Sequence, residues 1–255
     1  MDLELNGRAF LITGGSDGLG LALARRLVSE GARVAICGRD QDRLSHAQEV
    51  LGREALCYRA DVTNAEELDG FVDATLERFD GLDGAVNNAG KSAAGSIAQS
   101  DDDSWRGDYE LKVIAAVHVS RRVLDALSKS RGAILNVLAV GARAPGVNST
   151  PTAASRAAGL ALTKALASEA GPRGVRVNAI LIGLIESGQW VRRAQAANVS
   201  LEEFYATLVK NSNIPLGRVG TPEEFADLAT YLLSPRASYV TGVGISLDGG
   251  LSPVI

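Results

Sequence analysis

The segment Thr13–Gly20, which reads Thr-Gly-Gly-Ser-Asp-Gly-Leu-Gly, decides the predicted fold. It directly follows a short apolar run, Ala9–Thr13, and it leads into an amphipathic stretch, Leu19–Glu30. Glycines between a strand and a helix let the chain reverse tightly and let its backbone approach a pyrophosphate, toward which the helix N-terminus then points. This position of the turn predicts a strand–helix unit that binds a dinucleotide.

Short apolar runs and longer amphipathic segments alternate along the rest of the chain. Strands of this kind are typical of a parallel sheet covered by helices on both faces. The predicted strands are Ala9–Thr13, Arg33–Cys37, Ala55–Arg59, Gly84–Asn87, Ala133–Leu138, Val175–Ile180 and Gly244–Leu247. The clearest helices are Leu19–Glu30, Asp42–Leu51, Ala65–Phe79, Ala153–Ala170 and Glu223–Leu233. The alternation predicts an α/β fold, a Rossmann-like doubly wound parallel sheet of seven strands, in a single domain spanning 1–255.

Local signals mark several helix ends. Thr63 with Glu66 has the spacing of a capping box, and Thr221 precedes Pro222 at the first helical position. Gly31 follows the first helix, where a left-handed residue would end it.

Composition and charge restrict the class of protein. The net charge of −4 gives no basic surface for nucleic acid, and no apolar run approaches the ~18 residues that a membrane span needs. The N-terminus has no signal-peptide pattern, so we expect a cytoplasmic protein. Cys37 and Cys57 lie in apolar runs and predict free thiols, and no cluster of histidine, cysteine and acidic residues suggests a metal.

The segment Ser187–Asn213 has no strand pattern and falls between the sixth and seventh predicted strands. We interpret it as a substrate loop or lid (187–213) and not as a second domain. Trp190, Phe204 and Tyr205 indicate a partly apolar cover for a small-molecule substrate.

Motifs throughout the chain resemble those of the short-chain dehydrogenase/reductase (SDR) family. The pattern Thr-Gly-x-x-x-Gly-x-Gly stands at Thr13–Gly20, and Asp61-Val62 follows the third strand, where the family's aspartate meets the adenine ring. Asn87–Gly90 resembles the motif that steadies the sheet beside the cofactor. Gly174–Ala179 and Val240–Gly250 resemble the strand before the nicotinamide loop and the family's C-terminal ending.

The resemblance implies a dinucleotide site at the ends of the first strands. Its predicted residues are Thr13, Gly14, Ser16, Asp17, Gly18, Leu19, Gly20, Gly38, Arg39, Asp61, Val62, Asn88, Ala89, Gly90, Arg156, Gly183, Ile185 and Ser187. Gly38 stands where an acidic residue would reject a 2′-phosphate, and Arg39 follows it, so NADP(H) is favoured over NAD(H). Asp17 would repel a phosphate and argues the other way, whereas Asp40 could simply cap the next helix.

The resemblance also implies an active site of asparagine, serine, tyrosine and lysine, and all four positions differ here. The matching residues are Lys112, Ala139, Thr152 and Arg156. The hydroxyl of Thr152 is a far weaker acid than a phenol. Arg156 could hold ribose hydroxyls but would not give up a proton. The usual tyrosine–serine mechanism is therefore excluded.

Other polar residues could compensate. A desolvated Lys112 could act as acid or base, or it could only satisfy carbonyls at a helix end. Ser149 is a candidate replacement hydroxyl on the loop before Thr152, and Arg143 on the same loop could bind an anionic or carbonyl substrate. Ser187 keeps a hydroxyl where the family often has a threonine facing the cofactor.

Three functions remain open at this point. The first is an NAD(P)(H)-dependent oxidoreductase that acts on a small carbonyl or alcohol with atypical proton transfer. The second is a non-catalytic nucleotide-binding relative with a regulatory or assembly role, and the third is a lyase or isomerase. Segments Ser104–Ala126 and Ala153–Ala170 are similar to the helices that associate in tetrameric members, which predicts a homotetramer or homodimer.

Overall fold

A seven-stranded parallel sheet forms the centre of the computed structural model, which describes all 255 residues. Its strands are β1 (Ala9–Thr13), β2 (Arg33–Gly38), β3 (Leu56–Arg59), β4 (Gly84–Asn87), β5 (Ala133–Ala139), β6 (Arg176–Ile182) and β7 (Gly244–Leu247). The order across the sheet is β3-β2-β1-β4-β5-β6-β7. The predicted single-domain Rossmann-like fold is confirmed, and each predicted strand is present with its ends displaced by at most two residues.

Helices cover both faces of this sheet. The nine α-helices of the chain are α1 (Gly18–Ser29), α2 (Gln41–Leu51), α3 (Ala65–Phe79), α4 (Asp102–Tyr109), α5 (Ala115–Ser130), α6 (Thr152–Ala170), α7 (Gly188–Ala196), α8 (Leu201–Ser212) and α9 (Pro222–Leu233). One core lies under α1, α2 and α9, around Leu23, Leu44 and Phe225. The other lies under α3, α5 and α6, around Phe71 and Val119. Burial on both faces explains why the strands are apolar runs without alternation.

The helix ends follow the predicted signals with one exception. Thr221 and Glu224 form a complete capping box at α9, and Gly31 takes the left-handed conformation with φ +79°. The prediction that Thr63 caps α3 is wrong. Asn64 is the cap, and its side chain accepts hydrogen bonds from the first-turn amides, while the Thr63 hydroxyl lies one residue outside the helix end and donates to Asp61, 2.8 Å away.

The predicted loop or lid contains two helices, α7 and α8, and no strand. Its aromatic side chains pack together, with the Trp190 and Phe204 rings 6.1 Å apart and the Tyr205 ring 6.5 Å from that of Phe204. A π-helical turn, Glu110–Ile114, joins α4 to α5 within the segment that the sequence presents as one helix. No helix of the protein is long and apolar enough to span a bilayer.

Candidate active site

A cleft of about 900 Å³ opens at the carboxyl ends of the strands. The sheet order reverses between β1 and β4, and an α/β sheet binds ligands at such a switch point. Most of the predicted cofactor residues line this cleft: Gly14, Ser16, Asp17, Gly18, Leu19, Gly38, Arg39, Asp61, Val62, Asn88, Ala89, Gly90, Arg156, Gly183, Ile185 and Ser187. The topology thus brings together residues from both halves of the chain.

The glycine-rich turn leaves no room for a side chain at Gly14 or Gly20. Gly14 has φ +65°, and a Cβ there would lie 2.9 Å from the Ala89 Cα. A Cβ on Gly20 would lie only 2.3 Å from the Gly14 carbonyl oxygen. Asp17 caps α1 by accepting a hydrogen bond from the Gly18 N–H at 2.7 Å. A helix N-terminus presented by bare backbone fits a pyrophosphate, as the sequence predicts.

Thr13 and Asn88 fasten this turn to the next strand. The buried Thr13 Oγ1 accepts hydrogen bonds from the backbone N–H groups of Asn88 and Ala89, at 3.0 and 3.1 Å. The Asn88 side chain in turn donates to the carbonyls of Thr13 and Gly14, both at 2.9 Å. Thr13 and Gly20 do not line the cleft, so both act behind its surface.

Charged groups surround the end of β2, where a ribose would be recognised. Arg39 lies 3.5 Å from the Asp61 carboxylate, while Asp61 also accepts hydrogen bonds from Thr63. These hydrogen bonds and the Arg39 charge outweigh desolvation and lower the pKa of Asp61. Asp17 lies 3.2 Å from Arg43, a residue that sequence reasoning did not single out. The negative charge of Asp17 is therefore partly compensated at the place where it would oppose a phosphate.

Lys112 lies behind the cleft in the π-helical turn, with its side chain 1% exposed. It forms a short ion pair with Asp108, four residues earlier. Its Nζ also donates to the Thr152 Oγ1 at 3.0 Å. The Asp108 carboxylate accepts a second hydrogen bond from the Ser155 hydroxyl at 2.5 Å. Lys112, Asp108 and the hydroxyls of Thr152 and Ser155 thus form one network that joins α4 and the π-helical turn to α6.

Thr152 is the member of this network that reaches the cleft. Its Oγ1 accepts hydrogen bonds from Lys112 and from the Ala93 backbone N–H, at 3.0 and 2.9 Å. A hydroxyl has two acceptor lone pairs and one hydrogen. With both lone pairs engaged, its hydrogen is free to be donated to a molecule in the cleft.

Burial lowers the pKa of Lys112 to about 8. The positive charges of Arg156 and Lys91 lower it further, and Asp108 opposes the shift through its hydrogen bond and its charge. Desolvation disfavours the ammonium form, whereas an adjacent carboxylate favours it. At neutral pH Lys112 is therefore still mostly an ammonium, but one that releases its proton more readily than an exposed lysine.

Arg156 lies beside the network with its guanidinium between α6 and the sheet. Its Nη1 donates to the Val137 carbonyl, and its Nη2 would lie 2.9 Å from a Cβ on Gly90. Desolvation lowers the pKa of Arg156 to about 10. Its buried Nε and the buried Asn87 Oδ1 have no hydrogen-bond partner in the protein, and both residues line a cavity of about 20 Å³. A cationic donor of this kind at the cleft wall fits the hydroxyls of a bound dinucleotide.

The structure separates the remaining predicted residues into two groups. Ala139 and Ser187 line the cleft with Thr152. Ser149 is not among the lining residues, and its hydroxyl is donated to the Gly146 carbonyl at 2.6 Å. Arg143 donates to the Gly244 carbonyl of β7 at 2.7 Å and does not face the cleft.

Asp108 was missed by sequence reasoning. Its spacing of four residues from Lys112 was the available signal, because residues at that spacing share a helix face.

Comparison with known proteins places the chain in a family. The family model described as enoyl-(acyl carrier protein) reductase matches residues 14–252. A putative ketoacyl reductase of Streptomyces coelicolor is 34% identical over 251 residues, which cover 94% of this chain and 95% of that protein. The chain therefore belongs to the short-chain dehydrogenase/reductase family, a class of NAD(P)-dependent oxidoreductases.

Solved structures of similar proteins agree with this assignment. An NADPH-bound short-chain oxidoreductase from Pseudomonas aeruginosa, described as containing an atypical catalytic center, is 37% identical with a TM-score of 0.93, over 97% of this chain and 98% of its own. L-Sorbose reductase from Gluconobacter frateurii, solved with NADPH and L-sorbose, is 30% identical with a TM-score of 0.96, over 100% of both chains.

Proposed function

We propose that the protein is an NADPH-dependent reductase of small carbonyl compounds, in which Thr152 and Lys112 replace the tyrosine-based acid of its family. The observation that carries the proposal is the pair of hydrogen bonds that Thr152 accepts from Lys112 and Ala93. Because these two bonds occupy both lone pairs of the Thr152 oxygen, its hydroxyl hydrogen would be donated to a substrate oxygen in the cleft. The bound nicotinamide supplies the hydride, and the residues of the chain supply the proton.

Thr152 works in this scheme as a relay and not as an independent acid. An isolated aliphatic hydroxyl ionises far too weakly to protonate a substrate efficiently. When Thr152 gives its proton to the substrate oxygen, it takes one from Lys112 along the 3.0 Å hydrogen bond. One O–H bond breaks as another forms, Lys112 becomes a neutral amine, and Thr152 never carries a full negative charge. Oxidation of an alcohol runs the same steps backwards.

The cofactor would lie across the glycine-rich turn. The N-terminus of α1 would face the pyrophosphate, and Asp61 with Val62 would flank the adenine. Arg156 would hold the nicotinamide ribose, and Ile185 and Ser187 would border the nicotinamide. We favour NADPH over NADH because Arg39 and Arg43 line the cleft beside Gly38, which itself carries no acidic side chain to reject a 2′-phosphate.

The test is turnover on a carbonyl panel. β-Ketoacyl thioesters, ketoses and simple ketones are each mixed with NADPH or NADH, and the loss of reduced nicotinamide is followed by absorbance. We expect turnover of at least one class with NADPH and slower turnover with NADH. Tight NADPH binding without turnover of any carbonyl would instead support the non-catalytic alternative.

Replacing Arg39 by serine is expected to weaken NADPH binding about tenfold and to leave NADH binding unchanged. A charged hydrogen bond to a phosphate contributes about 1.5–3 kcal/mol, and the 69% exposure of Arg39 places its effect at the lower end. Fluorescence titration with each cofactor measures both constants. Arg53→Ser, an exposed position on the loop before β3 and away from the cleft, is the matched control. An equal loss of affinity for NADPH and NADH would contradict the assignment of Arg39 to the 2′-phosphate.

Assembly as a homotetramer or homodimer remains a prediction from the family resemblance. Light scattering coupled to size-exclusion chromatography measures it directly, and a monomer would contradict it.

A further inference from the structure

The strongest unassigned feature of the molecule is a buried carboxylate. The Asp108 side chain is 1% exposed and does not line the cleft, so it cannot touch a substrate there. Removing a carboxylate from water costs free energy unless cations and hydrogen-bond donors surround it in the protein. A buried carboxylate is therefore rarely left unpaired. Its partners are Lys112 and the Ser155 hydroxyl, which together hold both oxygens.

Asp108 is also the carboxylate that faces a group of positive charges. Lys112 lies in the π-helical turn, near Arg156 of α6 and Lys91 of the loop after β4. The positive charges of both residues repel the Lys112 ammonium. The Asp108 charge acts on Arg156 as well, in the direction that favours the guanidinium. One buried anion thus offsets two buried cations, and without it their mutual repulsion would be uncompensated.

The two oxygens of Asp108 have different partners, and this fixes the direction of the Lys112 ammonium. One oxygen accepts from Lys112 and the other accepts from Ser155 at 2.5 Å, so the carboxylate cannot rotate without losing a hydrogen bond. Lys112 is therefore held between a carboxylate on one side and the Thr152 hydroxyl, 3.0 Å away, on the other.

We propose that Asp108 is a positioning residue that keeps Lys112 charged and directed at Thr152, so that Lys112 serves as the proton reservoir of the reductase. Asp108 acts only through Lys112, and Ser155 supports it by orienting the carboxylate. This inference deepens the proposed function and rests on it, because a reservoir has a role only if protons reach the substrate through Thr152.

The direct test is a lysine-selective NMR titration of the 255-residue chain, with and without NADPH. The chain has only five lysines, so the spectrum contains few lysine resonances: Lys91, Lys112, Lys129, Lys164 and Lys210. The resonance that disappears in Lys112→Met belongs to Lys112. In the wild type we expect Lys112 to titrate near a pKa of about 8. In Asp108→Asn we expect its pKa to fall by roughly one unit or more, because the compensating charge is lost.

The pH profile of turnover gives the second readout. Reduction needs Lys112 as the ammonium, so kcat/KM should fall as the pH rises through about 8 in the wild type. In Asp108→Asn this fall in kcat/KM should move to lower pH by the same amount as the Lys112 pKa measured by NMR. If that pKa drops by one unit, kcat/KM at pH 8 should be roughly fivefold lower than in the wild type. A purely structural role for Asp108 would change stability without displacing this fall in kcat/KM.

Two further variants keep the test decisive. Asp103→Asn removes a carboxylate from the same helix whose side chain is 91% exposed, and we expect it to leave the Lys112 titration unchanged. Ser155→Ala retains the Asp108 charge but removes its orienting hydrogen bond. We expect a smaller shift of the Lys112 pKa in the same direction, measurable even if Asp108→Asn does not fold.

The outcomes distinguish this inference from the proposed function. If Lys112→Met turns over carbonyls at the wild-type rate, the relay through Lys112 is wrong, whatever Asp108 does. If Lys112→Met loses turnover but Asp108→Asn and Ser155→Ala leave the Lys112 titration and the pH profile of kcat/KM unchanged, the positioning role of Asp108 alone is overturned.

Discussion

Replacing Thr152 by valine is expected to lower kcat for carbonyl reduction by about 100-fold or more, with little change in NADPH affinity. Valine keeps the branched shape of threonine but lacks the oxygen through which the Lys112 proton would pass. A positioned proton donor contributes about 10²–10⁴-fold to a rate, so the loss should fall in this range. Single-turnover kinetics with excess enzyme measures the chemical step without interference from product release.

The control for this variant is Thr152→Ser, which retains an Oγ and should keep most of the activity. Thr152→Val combined with Lys112→Met should be no slower than the worse of the two single variants, because both residues would act in one relay. If Thr152→Val kept more than about a tenth of the wild-type kcat, a water molecule or another group would have to be the immediate donor.

The fold follows from the sequence because its signals are local and mutually consistent. Apolar runs of four to seven residues, such as the β5 strand Ala133–Ala139, alternate with amphipathic helices, and few topologies satisfy that order. The helix caps were less certain for a physical reason. Thr63 and Asn64 both have side chains that can cap a helix and they are adjacent, so the sequence alone does not fix at which of the two α3 begins.

The candidate site likewise has one part that the sequence predicts and one part that only the structure shows. The glycine-rich turn was predictable because glycines between a strand and a helix permit the positive φ angles and the close backbone approach that such a turn needs. The contact between Lys112 and Thr152 joins residues 40 positions apart, so no sequence pattern shows it. The sequence left open whether Lys112 only satisfies carbonyls at a helix end. In the structure its partners are Asp108 and Thr152, because the π-helical turn lies against α6.

Gly20 occupies the tightest position of the glycine-rich turn. A methyl group there would lie 2.3 Å from the Gly14 carbonyl oxygen and 2.9 Å from the Gly15 Cα, both of which are backbone atoms. The Asn88 amide, which fastens the turn to the strand beside it, would lie 2.6 Å away. No rotation of a side chain relieves contacts with backbone, so α1 must move away from the turn.

Gly20→Ala is therefore expected to weaken NADPH binding by about 100-fold or more, because the displaced helix no longer points its N–H groups at the pyrophosphate. Isothermal titration calorimetry measures the affinity, and circular dichroism verifies that the variant is folded. Gly107→Ala is the matched control, since a Cβ in that helix interior meets nothing within 4 Å. Gly14→Ala, at a position with φ +65°, should lose binding by the same route. Wild-type affinity in a folded Gly20→Ala protein would mean that NADPH binds elsewhere than on this turn.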